Sequence, residues 1–197
     1  DDENRFGDEC RDSKADSIFQ FSPDGKVVKS FGGGLFIWPH GIELDADGNI
    51  WVTDAVMPTR TPAGTRGHQV IKFSPAGKVL MTLGTPGVAG SGPNNLNAPS
   101  DVVVGPNGDI FVADGQKENG NNRVVKFSKD GTLIKTWGRT GYAPGEFRRL
   151  HAIAIDSRGR LFVGDRGNNR IQIFDQDGKF LTQWTQFGKP SGIFFDD

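Results

Sequence analysis

The sequence predicts an all-β protein, a β-propeller built from four-stranded antiparallel blades. Three observations carry that prediction. A hairpin motif recurs in register, first as Asp45-Ala46-Asp47-Gly48-Asn49-Ile50-Trp51-Val52-Thr53-Asp54, then from Gly105 to Asp114, then from Asp156 to Asp165. A second hairpin alternates with it, from Ile18 to Val28, Val70 to Leu80, Val124 to Ile134 and Ile171 to Leu181. No segment sustains the 3.6-residue apolar period of a helix, and the short apolar runs are separated by 28 glycines and 11 prolines. Two hairpins in each period of roughly 50 residues make four strands, the unit of a propeller blade.

Taken in chain order, residues 17–31 form an outer hairpin. Full blades are expected over 40–84, 99–138 and 151–184, and 191–197 reads as the first strand of the next blade. Alternating pairs such as Ile71/Phe73 and Ile171/Ile173 have the period of two that a half-buried strand requires. The Asp-Gly and Asn-Gly turns supply the positive φ of tight hairpins. Trp51, Phe111 and Phe162 share one register and are expected between blades. Asp54, Asp114 and Asp165 each end a second strand, where a carboxylate accepts backbone hydrogen bonds. Arg123 and Arg170, each after an Asn pair, belong to the same repeat architecture. Gly84 to Ala98 is a long connection, either a rim contact or a flexible link. Earlier copies of the 191–197 strand continue through a glycine turn into a partner. The chain is therefore expected to be part of a six-bladed propeller. The alternative is a closed four-bladed ring in which Ser191 to Phe195 is the only inner strand of the first blade.

Composition excludes some functions. With 23 basic and 24 acidic residues the formal net charge is −1, which gives nucleic acid or an anionic membrane no electrostatic footing. The longest apolar runs, such as Leu35 to Trp38, have strand length and fall far short of the ~18 residues of a membrane span. Cys10 is the only cysteine, so no intrachain disulfide can form.

The residues leading into each first strand are Pro39-His40-Gly41-Ile42, Pro99-Ser100-Asp101-Val102, Leu150-His151-Ala152-Ile153 and Pro190-Ser191-Gly192-Ile193. One repeat position thus reads His, Ser, His, Ser. First strands line the central channel, so equivalent positions form a ring around the axis. Six blades would place alternate positions 120° apart, and a third histidine two blades beyond His151 would complete a three-fold set. Three imidazoles and one open position make a catalytic zinc site. His40 and His151 are therefore the candidate metal ligands, with the third expected outside this chain. The competing reading is that both histidines pack or hydrogen-bond at a turn. His68 is offset from this register and reads as a surface residue.

The segments PHGIELDADGNIWVTD and LHAIAIDSRGRLFVGDRGNNRIQIFDQDGKF resemble NHL repeats. The first also resembles the zinc-histidine segment of the peptidyl-α-hydroxyglycine α-amidating lyases, and APSDVVVGPNGDIFVADG follows in that family's order. The resemblance implies a secreted or periplasmic six-bladed propeller with three histidines on a channel zinc and often a structural calcium. It implies a small-molecule or peptide substrate, with cleavage of a peptidyl α-hydroxyglycine to a peptide amide and glyoxylate. His40 and His151 would hold the zinc, and Arg5 falls near the family's carboxylate-binding arginine. Where the animal enzymes place a tyrosine base after an Asp-Gly, this chain has Gln116 after Asp114-Gly115. Glutamine cannot take the proton. Tyr142, the only tyrosine, lies in a loop between blades. The second functional expectation is accordingly a non-catalytic propeller serving as an extracytoplasmic binding or scaffold module, with a protein partner. A hydrolase propeller ranks third, because it would bring channel carboxylates for calcium, and Asp101 is the only acidic residue beside the channel position in the four copies.

Overall fold

A computed structural model describes residues 10–56, 64–117 and 120–196. The chain forms a hairpin, β1 (Ile18–Phe21) and β2 (Val27–Phe31), followed by three four-stranded meanders. The first meander holds β3 (Pro39–Leu44), β4 (Ile50–Asp54), β5 (Gln69–Phe73) and β6 (Val79–Leu83). The second holds β7 (Pro99–Val104), β8 (Ile110–Asp114), β9 (Arg123–Phe127) and β10 (Leu133–Trp137). The third holds β11 (Leu150–Ile155), β12 (Leu161–Asp165), β13 (Arg170–Phe174) and β14 (Phe180–Trp184). Every pairing within a sheet joins sequence neighbours and is antiparallel. The expected all-β propeller class is what the chain adopts. The one helical element among the described residues is a 3-10 turn at Arg166–Asn168.

The register repeats with the sequence. Trp51 pairs with Lys72, Phe111 with Lys126 and Phe162 with Ile173. The strand β8 packs between the first and third blades, and β12 between the second blade and the segment of Ile193 and Phe195, so both are buried along their whole length. The outermost strands β2, β6, β10 and β14 are mostly exposed. One apolar cluster joins the second and third blades through Phe111, Phe147, Leu150, Leu161 and Phe174. Another joins the first and second through Trp51, Val70, Leu96, Ile110 and Val112. Each fully buried side chain of this size is worth about 1.5–3 kcal/mol of transfer free energy. Outer hairpin turns dock on the preceding blade. Gly178 has φ +79°, and a Cβ there would stand 2.6 Å from the Trp137 ring, so only glycine satisfies both backbone and neighbour.

The innermost strand β3 is more open than β7 and β11, with Ile42 and Leu44 more than half exposed. The reason is its neighbour. The first hairpin contains only β1 and β2, so among the described residues no inner strand covers that side of β3. A cleft of about 710 Å³ lies there, lined by Ile18, Phe19, Phe31, Ile42, Leu44 and Phe194. At the other end, Ser191 to Phe195 belongs to no strand, and no β-bridge joins it to β1 among the described residues. It nevertheless lies against the third blade with strand-like alternation. Ile193 and Phe195 pack on the cluster of Phe162, Ile171 and Ile173, with the Phe195 ring 4.7 Å from that of Phe162, while Phe194 is exposed.

Candidate functional site

Loops feeding the first strands are fixed by the three repeat-wide aspartates. Asp54 accepts the backbone N–H of Ile37 (3.0 Å) and of Trp38 (2.7 Å), which sets the path into β3. Asp114 accepts from Asn97 N, Asn121 Nδ2 and Arg123 Nε. Asp165 accepts from Arg148 N, Asn168 Nδ2, Arg170 Nε and Gln172 Nε2. These carboxylates are fully buried and structural, as their sequence positions suggested. The two arginines also rivet the inter-blade loops. Arg123 donates to Ser91 O and Asn95 O, and Arg170 to Ala143 O and Glu146 O. The connection from Gly84 to Ala98 is therefore pinned at several carbonyls.

His68 departs from its expected surface position. It is buried, with φ 57°, and its Nδ1 accepts the Ala98 N–H at 3.1 Å. Asn122 occupies the same place in the next blade, with φ 49°, and its Oδ1 accepts the Arg149 N–H at 2.8 Å. His68 thus does an asparagine's work, a substitution that hydropathy does not reveal. Burial, and then the charge of Lys117, push its pKa down to about 4. The unfolded value is about 6.5, so folding favours the neutral ring. Its contribution is complete above pH ~6.5 and is lost as pH falls toward 4. We expect His68→Asn, which keeps an acceptor and tolerates positive φ, to fold and to show a shallower loss of thermal midpoint between pH 7 and 4.5. Equal pH slopes in the two proteins would contradict this account.

The two histidines of the repeat come together. The His40 and His151 ring centroids are 4.8 Å apart, with planes at 63°. His40 Nδ1 lies 2.7 Å from Ser100 O, and His151 Nδ1 lies 2.9 Å from Ser191 O. Each imidazole therefore donates from Nδ1 to the carbonyl of the serine at the next copy of its repeat position. The alternation of His and Ser has this physical content: the histidine reaches across, and the backbone of the next repeat copy orients it. A ring held at Nδ1 by a carbonyl presents an unprotonated Nε2, the tautomer and posture of a metal ligand. Burial lowers the pKa of His40, opposed by the bond to Ser100. His151 is pushed down to about 4, first by burial, then by His40 and Arg166. Both shifts favour the neutral ring that ligation requires.

The Ser100 carbonyl also accepts from Thr53 Oγ1 (3.1 Å), which in turn accepts from Gly41 N (2.8 Å). A Cβ on Gly41 would stand 2.7 Å from Ser100 O and 2.6 Å from Asp101 Oδ1. Gly41→Ala should push β3 from β7, lower stability by about 1–3 kcal/mol and disturb the His40 anchor. Denaturant unfolding checks it, and a loss below the measurement error would contradict the close approach.

Sequence reasoning missed two neighbours of this pair, Arg166 and Trp38, and a partly buried carboxylate, Glu43, on the strand that carries His40. Arg166 donates from Nη1 to Ser191 Oγ at 3.2 Å, beside His151. The equivalent positions after Asp54 and Asp114 are Ala55 and Gly115, so the signal was a guanidinium where the repeat has small residues. The Trp38 ring meets His40 edge-on at 5.1 Å. Glu43 shares a channel cavity of about 220 Å³ with Asp101. Its pKa is raised to about 7 by burial and then by Asp101, whose own is raised to about 6 by burial. Asp101 also accepts the Ile153 N–H at 2.9 Å and so ties β7 to β11. Gln116 is buried with no hydrogen-bond partner at Oε1 among the described residues, and Tyr142 is exposed with its hydroxyl 2.6 Å from Arg148 Nη1. Arg5 lies outside the described residues. No three or more His, Cys, Asp or Glu converge among the described residues, so His40 and His151 fit two positions of a metal centre and leave it incomplete.

Comparison with known proteins adds to this geometry. The NHL repeat model matches residues 96–127 and 147–174. Peptidyl-glycine alpha-amidating monooxygenase A of Xenopus laevis is 40% identical over 149 residues, covering 72% of this chain and 14% of that protein. Peptidyl-alpha-hydroxyglycine alpha-amidating lyase 1 of Drosophila melanogaster is 39% identical over 122 residues, covering 60% of this chain and 20% of that protein. Human NHL repeat-containing protein 3 is 35% identical over 155 residues, covering 76% of this chain and 42% of that protein. The chain thus spans less than half the length of each of these relatives. A streptogramin B lyase structure superposes with a TM-score of 0.61 at 17% identity, covering 89% of this chain and 50% of that one, and this likeness shows the fold alone.

Proposed function

We propose, from the premise that this chain is an NHL-repeat domain homologous to the peptidyl-α-hydroxyglycine α-amidating lyases and to NHL repeat-containing protein 3, that it supplies part of an extracytoplasmic lyase site in a six-bladed propeller. The substrate is a peptide ending in α-hydroxyglycine, and the products are the peptide amide and glyoxylate. The observation that carries this reading is the pair His40 and His151, 4.8 Å apart, each with Nδ1 on a carbonyl.

His40 and His151 would hold a zinc ion through Nε2, with a third ligand from outside this chain. Such an ion would supply Lewis acidity toward a substrate oxygen. The remaining chemistry is the collapse of a carbinolamide. The hydroxyl loses its proton, its oxygen forms a C=O bond, and the C–N bond breaks with its electron pair going to the amide nitrogen. That nitrogen then takes a proton. Arg166 stands beside His151 and offers a guanidinium to the substrate's terminal carboxylate. Gln116 orients its amide at a buried position and moves no proton, so the base comes from another residue.

The competing reading is a non-catalytic propeller, and the buried Gln116 at the place of the family's base favours it. Glyoxylate release from N-acetyl-Phe-α-hydroxyglycine by the full-length gene product separates the two. The lyase reading expects release that a chelator abolishes. No release above the uncatalysed rate would leave the scaffold reading.

A further inference from the structure

We infer that Trp38 is the specificity wall of this site and selects substrates with a large apolar side chain on the residue preceding the hydroxyglycine. The inference rests on the proposed lyase site and names the substrate class that site would take.

Four side chains follow one another through successive contacts: Trp38, His40, His151 and, by way of Ser191, Arg166. Trp38 meets His40 edge-on at 5.1 Å and 89°, His40 meets His151 at 4.8 Å, and Arg166 reaches the serine that orients His151. One end of this series is aromatic and the other cationic, with the imidazoles between. A substrate carboxylate at Arg166 leaves the reacting carbon over the imidazoles. Each residue of extended chain advances about 3.3–3.6 Å, so the preceding side chain falls toward Trp38.

The fold has little use for this indole. Trp51 lies in a core cluster, Trp137 packs between Phe111 and Phe174, and Trp184 packs on Phe162 and Phe187. Trp38 belongs to none of the apolar clusters, and its one ring partner among the described residues is His40. The equivalent positions in later blades are Ala98, Arg149 and Lys189, so the repeat does not require an aromatic residue here. The backbone beneath it is rigid all the same. Its N–H donates to buried Asp54, and its carbonyl accepts the Ala55 N–H at 3.0 Å. A partly buried indole on a fixed backbone beside oriented polar groups is a preorganised apolar surface.

The test is direct binding to the full-length protein of two unreactive ligands, N-acetyl-Phe-Gly and N-acetyl-Ala-Gly. Both carry the carboxylate and neither carries the hydroxyl that is cleaved. The wild type should prefer the Phe ligand about tenfold. Trp38→Ala should bring the ratio to about 1–2, and Trp38→Phe should keep most of it. Should Trp38→Ala fail to fold, ligand-ring to indole nuclear Overhauser contacts in the wild type give the answer without a variant. An unchanged ratio, an equal loss for both ligands, no binding of either, or no contact would overturn the inference. Glyoxylate release with a Trp38-independent ratio would sink the wall and spare the lyase. A Trp38-dependent ratio without glyoxylate release would do the reverse.

Discussion

Asp165→Ala should lower the unfolding free energy by roughly 3–5 kcal/mol, because it removes one member of a buried ion pair and leaves the other charge inside the protein. Asp165 is fully buried and receives four hydrogen bonds. Arg170 lies 2.7 Å away, and its Nη2 donates to the carbonyls of Ala143 and Glu146. The substitution therefore strands a guanidinium and loosens the loop that delivers β11. Domains of this kind have about 5–15 kcal/mol in total, so the loss is a large fraction of the whole. The exposed pair Lys26–Asp24, 2.7 Å apart, is the contrast. Asp24→Ala should leave the denaturant midpoint unchanged, since water screens that contact. A loss below about 1 kcal/mol for Asp165→Ala would contradict the clasp role.

His151→Ala should reduce glyoxylate release by the full-length protein more than 100-fold. Loss of an outer-shell partner of a metal ligand already costs about 10–100-fold, and removal of the ligand itself exceeds that. His68→Asn, buried in another part of the repeat, should leave release intact. Equal losses in both variants would mean that the effect is on folding and not on the site.

Most of the architecture was legible because each element repeats. The Gly turns at Gly48, Gly108 and Gly159, and the alternation in β5 and β13, fix strands locally, and recurrence removes the ambiguity of short apolar runs. The buried aspartates were legible for the same reason. His68 was not, because hydropathy treats a buried histidine with positive φ like a surface one, and only alignment with Asn122 exposes its role. Arg166 and Trp38 were missed because they stand where the repeat varies. A search for consensus passes over them. The His and Ser alternation was read as a ring of ligands. The carbonyl bonds at Ser100 and Ser191 that orient the rings are backbone contacts and leave no trace in residue identity.

The most direct test of the central claim is the zinc content of the full-length gene product, measured by elemental analysis with and without His40→Ala. The account predicts one zinc per chain in the wild type and loss of that zinc in the variant with the fold retained. A metal-free wild type, or zinc that survives His40→Ala, would contradict it and leave His40 and His151 as inter-blade hydrogen-bonding residues of a structural propeller.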